Sequence, residues 1–81
     1  MKSLRELRNG LVFAQREVAE ELGISVEHYN QLERGRHMPR PMLIRELAEL
    51  FEVDAAELRV HLLERTQEVA KPPAGTQGER P

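Results

Sequence analysis

The side chains able to do chemistry are few, and their spacing removes most chemistries at once. Three histidines, His28, His37 and His61, are the imidazoles available to a metal, and no two of them stand four residues apart as a helix-borne ligand pair would. There is no cysteine, which excludes a thiolate site and a disulfide framework alike. Surface histidines, with no metal and no cofactor, are therefore expected. No Ser/His/Asp ordering suggests a nucleophile, and the glycines are isolated turn formers rather than a phosphate-cradling loop. An enzyme is not expected. What remains is charge. From Arg34 to Arg45 the chain carries four arginines, one histidine and no acid, whereas Glu17–Glu33 and Glu46–Glu57 each carry five acids and no Lys or Arg. The net charge of −2 is mildly unfavourable for nucleic acid. Its distribution matters more, because an uninterrupted guanidinium segment is what grips phosphates.

The elements that must hold these residues are helices. At 81 residues the chain is one domain, of a size that buries only about 60% of its unfolded surface and leaves little room for a cleft beside a core. Hydrophobic residues make up 40%, and the abundance of Leu, Glu, Arg and Ala favours helix over strand. Leu4, Leu7 and Leu11 predict a first helix over about residues 2–11, with Gly10 near its end. Gln15 opens a second, with Val18, Ala19 and Leu22 inward and Gly23 as its stop. Ser25 caps a third, in which Tyr29 and Leu32 face the core, with the tyrosine hydroxyl expected to reach the surface, and Gly35 ends it. After a loop from Arg36 to Arg40, Pro41 takes the first position of a fourth helix carrying Ile44, Leu47, Ala48 and Phe51. Asp54 to Glu57 reads as a capping box for a fifth, with Leu58 and Leu62 inward, running to about residue 69. The remainder, 70–81, ends in KPPAGTQGERP and has the composition of a disordered tail. No apolar run approaches the ~18–20 residues of a membrane span, and MKSLREL lacks a signal-peptide hydrophobic region. A cytoplasmic protein is expected.

The stretch from Gln15 to Pro39, QREVAEELGISVEHYNQLERGRHMP, resembles the helix-turn-helix of the phage-repressor (Cro/lambda-repressor, XRE) family. Gln15, Val18, Ala19, Leu22, Gly23, Ile24, Ser25, Tyr29, Leu32, Glu33, Gly35 and Pro39 fall on its pattern without a gap, and the likeness extends over about residues 3–60. The resemblance implies an all-α, five-helix lambda-repressor-like domain over 1–69, with the motif at 15–35. It implies a sequence-specific transcriptional regulator whose third helix enters the DNA major groove. By position, Val26, Glu27, Asn30 and Gln31 correspond to base-reading residues. Gln15, Arg34, Gly35, Arg36, His37 and Arg40 correspond to phosphate contacts. Gly23 and Ser25 shape the turn and cap, while Arg8 and Glu33 match a buried structural ion pair.

Some positions depart from the family pattern. Val12 stands where a glycine usually follows the first helix, Ala14 replaces a Ser or Thr cap, and Glu52 replaces a glycine closing the fourth helix. Val26 and Glu27 stand where many members have Gln, Arg or Ser, and a glutamate beside DNA is repelled by phosphate unless it accepts from a cytosine amino group. On the fifth helix Val60 and Leu63 lie off the Leu58–Leu62 face, so a homodimer contact there is expected; it would set two recognition helices about one DNA turn apart. The competing function is an adaptor that keeps the repressor fold and offers its acidic helices to a protein partner.

Overall fold

The computed structural model describes residues 1–70 and contains five helices: α1 (Leu4–Gly10), α2 (Gln15–Leu22), α3 (Val26–Glu33), α4 (Pro41–Phe51) and α5 (Ala55–Ala70). The first is shorter than the leucine spacing predicts. Ser3 and Glu6 form a reciprocal capping box, Glu6 N–H to Ser3 Oγ at 3.2 Å and Ser3 N–H to Glu6 Oε1 at 3.0 Å, which fixes the start. Leu11 lies beyond the last turn and is exposed, so it is not part of the buried stripe. Ala14 offers α2 no side-chain cap, but its own N–H is taken by Glu17 Oε1 at 2.8 Å. Ser25 caps α3 through His28 N–H at 2.9 Å, and Asp54 accepts from Glu57 N–H at 2.9 Å before α5. That last helix reaches Ala70, one residue past its expected end; the expected tail lies, from residue 71, outside the described residues.

One core joins all five helices. Leu4, Val18, Ala19, Tyr29, Leu32, Ile44, Leu47, Ala48, Phe51, Leu58 and Leu62 are buried, ringed by half-buried Leu7, Phe13, Leu22, Ile24 and Met38. α2 packs mainly on α3 and α4 on α5, with α1 against α3 and α2 against α4. Ala19 at the α2–α3 contact is small enough for the two helices to approach closely. Against expectation, the Tyr29 hydroxyl does not reach the surface: the whole side chain is buried and its oxygen has no aligned hydrogen-bond partner.

The first four helices share one way of stopping. In each, two N–H groups just past the last turn fold back on carbonyls three and five residues earlier, as Phe13 does on Arg8 at 3.1 Å, Ile24 on Ala19 at 3.0 Å, Arg36 on Gln31 at 3.0 Å and Val53 on Ala48 at 2.9 Å. The pivot of that closure needs positive φ. Gly23 (φ 70°) and Gly35 (φ 74°) supply it freely, whereas Val12 (φ 61°) and Glu52 (φ 60°) hold it with a Cβ in place. A left-handed L-residue costs about 1–2 kcal/mol, and a β-branched one is the least suited. Val12 is 86% exposed, so its side chain contributes little packing in return. Val12→Gly should therefore stabilise the domain by about 0.5–1 kcal/mol after glycine's larger unfolded-state entropy is charged against it. The midpoint of thermal unfolding should rise by a few degrees; a fall would show that Val12 packs usefully.

Candidate nucleic-acid interface

The recognition surface is built on the junction that holds α1, α2 and α3 together. Arg8 in α1 donates from Nε to Glu33 Oε2 at 2.5 Å and from its second terminal nitrogen to Oε1 at 3.4 Å, while its first closes on Phe13 O at 2.9 Å. The two side chains are 12% and 5% exposed, so the pair expected between Arg8 and Glu33 forms and is largely buried. Gln15, the first residue of α2, donates its amide to Glu33 Oε1 at 2.9 Å. Its expected buttressing of the recognition helix is thus made through the last residue of α3. Burial acts to raise the Glu33 carboxyl, but the bonds from Arg8 and Gln15, with the polar Tyr29 hydroxyl nearby, outweigh it and hold the group below its ordinary value. Arg8 is held above its own, first by the Glu33 bond. Burial, with the carboxylate beside it, pushes the Tyr29 phenol well above the ordinary tyrosine range, so this cluster stays Arg⁺, Glu⁻ and neutral phenol through the physiological range.

Upon this base α3 projects its N-terminal half. Val26 and Glu27 are exposed, and Asn30 and Gln31 half-exposed. Glu27, His28 and Gln31 share a shallow depression with Ser25, Arg36 and His37, and the His28 and His37 rings meet edge to face with centroids 6.4 Å apart. Around the helix, Gln15, Asn30, Arg34 and Arg36 line a second groove. Arg36 belongs to both, so the helix and the basic loop form one continuous surface. Arg40 is exposed at the cap of α4, whose start has no side-chain cap, leaving first-turn N–H groups and a positive dipole end without a side-chain partner. Val26 and Arg40 lie on the same elements but line neither depression.

Gly35, expected to hold phosphate, is buried and its N–H is spent on Leu32 O at 3.1 Å, so its backbone offers no free donor in the isolated chain. An added Cβ would lie 2.8 Å from Arg65 Cγ and 2.9 Å from Val69 Cγ2, because the last turns of α5 lie across it. The sequence carries a signal for this packing that a stripe ending at Leu62 overlooks. The stripe of α5 goes on through Thr66, half-buried with its hydroxyl on Leu62 O at 3.0 Å, to Val69, which is 41% exposed yet has its Cγ2 against Gly35. Among the described residues no group of three or more His, Cys, Asp and Glu could hold a metal, and no helix is long and apolar enough to cross a membrane. Val60 and Leu63 are 52% and 39% exposed on the outer side of α5.

A helix-turn-helix family model matches residues 4–58, which spans α1 through the start of α5 and leaves the rest of that helix outside the match. No curated protein and no solved structure matches the chain significantly. The turn at Gly23, the capped and exposed α3, the Arg8–Glu33 lock and the family match agree: the chain belongs to the Cro/lambda-repressor-like (XRE) helix-turn-helix family of DNA-binding regulators.

Proposed function

We propose that the chain is a cytoplasmic, sequence-specific transcriptional regulator that binds a palindromic operator as a homodimer, with α3 in the major groove and α5 pairing the subunits. The observation that carries this reading is the continuity of α3 with the Arg34–Arg40 loop through Arg36. Base-reading groups and phosphate-binding cations thereby lie side by side, as one groove and its flanking backbone require. In this reading Val26, Glu27, Asn30 and Gln31 face base edges, and Gln15, Arg34, Arg36, His37 and Arg40 face phosphates. Val60 and Leu63 are the apolar part of the subunit contact.

Two substitutions separate the roles. Arg36→Ala should weaken binding to operator and random duplex alike and reduce the salt slope by about one unit for each phosphate that Arg36 neutralises. Gln31→Ala should lose about 1–3 kcal/mol on the operator and little on random DNA. Glu27→Ala reads the recognition helix directly. If Glu27 accepts from a cytosine, the variant relaxes one base pair and loses operator affinity; if it only repels phosphate, the variant binds all DNA more tightly. Titrating gel shifts against the promoter region of the protein's own gene, at several salt concentrations, measure all three.

A second reading, an adaptor for a protein partner, draws on one feature: Glu21, Glu46 and Glu49 surround Leu22 and Leu50 in a depression between α2 and α4. Absence of DNA binding even at low salt would transfer the function to that surface.

A further inference from the structure

Outside the family match, α5 continues for twelve residues, from Arg59 to Ala70, and its end crosses the junction between α3 and α4. That crossing brings Arg65 to the groove that begins at Gln15 and Asn30 and passes Arg34 and Arg36; Arg5 of α1 lines it as well. None of Arg5, Arg34, Arg36 and Arg65 forms an ion pair with another described residue, whereas the Arg8 charge in the same groove is already spent on Glu33. Glu6 and Glu68 are the other acids on its walls. In a chain of net charge −2, the groove is a local excess of guanidinium groups. Its residues come from four helices, α1, α2, α3 and α5, and the loop after α3, so the excess is made by the fold and is invisible as a run in the sequence.

We propose that this groove is a second phosphate track: α5, through Arg65, extends the DNA contact beyond the recognition loop onto the backbone flanking the site, with Arg5 lining the same groove. The inference rests on the DNA-binding reading above and adds to it a contact made by the helix that also carries Val60 and Leu63. Arg65 is exposed, but its stem passes over Gly35, where an added Cβ would lie 2.8 Å from its Cγ, so one side of the stem is packed while the residue lines the groove. A guanidinium held this way loses less side-chain entropy on gripping a phosphate than one on a free surface arm.

The test uses the full chain and a mixed-sequence DNA duplex, so no operator need be known. Arg65→Gln keeps most of the stem and removes the charge, and Arg65→Lys keeps the charge. Binding is measured across a salt series, with thermal melting beside it. Arg65→Gln should lower the salt slope by about one unit and weaken binding several-fold at moderate salt, with melting little changed. Arg65→Lys should keep the slope, and Arg5→Gln should lower it as Arg65→Gln does. If Arg65→Gln binds DNA with unchanged slope while Arg36→Ala lowers it by its own unit, Arg65 serves only to pack Gly35 and the inference fails with the DNA reading intact. If wild type shows no salt-dependent DNA binding, the DNA reading fails and this inference with it.

Discussion

Arg8→Ala is expected to cost about 3–5 kcal/mol, the loss that follows when one partner of a buried pair is removed and the other charge stays buried. In a domain whose total stability is on the order of 5–15 kcal/mol, that removes much of the folded margin. The loss has several parts. Glu33 keeps Gln15 but loses both guanidinium bonds, Phe13 O loses its donor, and the buried Tyr29 hydroxyl is left beside an uncompensated carboxylate. Lysine should rescue poorly, because a single ammonium cannot span Glu33 and Phe13 together. Replacing both partners by methionine should cost less than either single alanine change, since no charge is stranded. Acid unfolding reads the same cluster. Glu33 is held below its ordinary value in the folded state, so its contribution is fully present above the unfolded-state value and is lost as pH falls through the depressed one. Glu6, lowered by its capping bonds to Ser3, titrates in the same sense. Glu33→Gln should flatten the acid limb of stability against pH. An unchanged limb, or an Arg8→Ala protein that melts like wild type, would show that the pair holds little.

Leu63→Asp, and Val60→Asp beside it, should leave the fold intact and abolish the proposed dimer. Both side chains are already substantially exposed in the single chain, so a carboxylate there disturbs no core. In a subunit interface the same carboxylate would lie among apolar groups with no partner. A dimer on a two-half-site operator holds its second half by linkage, so loss of pairing should weaken operator binding by about 10²-fold or more, with half-site affinity preserved. Sedimentation and gel shift on full and half sites measure the two effects separately. Wild type that sediments as a monomer at about tens of micromolar would overturn the assignment, as would a dimer whose operator affinity survives both substitutions.

Much of the fold is written in the chain at short range. Leucine and alanine at helical spacing, Ser25 before α3 and Pro41 before α4 mark elements by local rules, and the helices form within a residue or two of those marks. Val12 and Glu52, suspect because they replace glycines, do take the left-handed pivots. The exposure of the proposed base-reading residues is legible for a related reason: on a short capped helix it follows from the buried positions of Tyr29 and Leu32. What is not legible depends on where distant elements end. The hydroxyl of Tyr29 is expected at the surface because an amphipathic ring commonly lies so. Only the convergence of Arg8, Gln15 and Glu33 from three helices leaves it inside. The burial of Gly35 has the same origin, since it depends on how far α5 runs and in which direction.

The shared manner in which α1 to α4 stop also bears on how the sequence can drift. Gly35 is confined twice over, by its φ of 74° and by Arg65 and Val69 lying where a Cβ would go, whereas Gly23 has the positive φ with open space around it. Position 23 can thus pass to asparagine at modest cost, and position 12 already holds valine. Position 35 admits neither route unless the Arg65 and Val69 side chains shift. Across a lineage, three of the four stops are open to substitution, and the other is constrained by the side chains that lie over it. The later turns of α5 thereby bear on which residue a turn near the middle of the chain can hold.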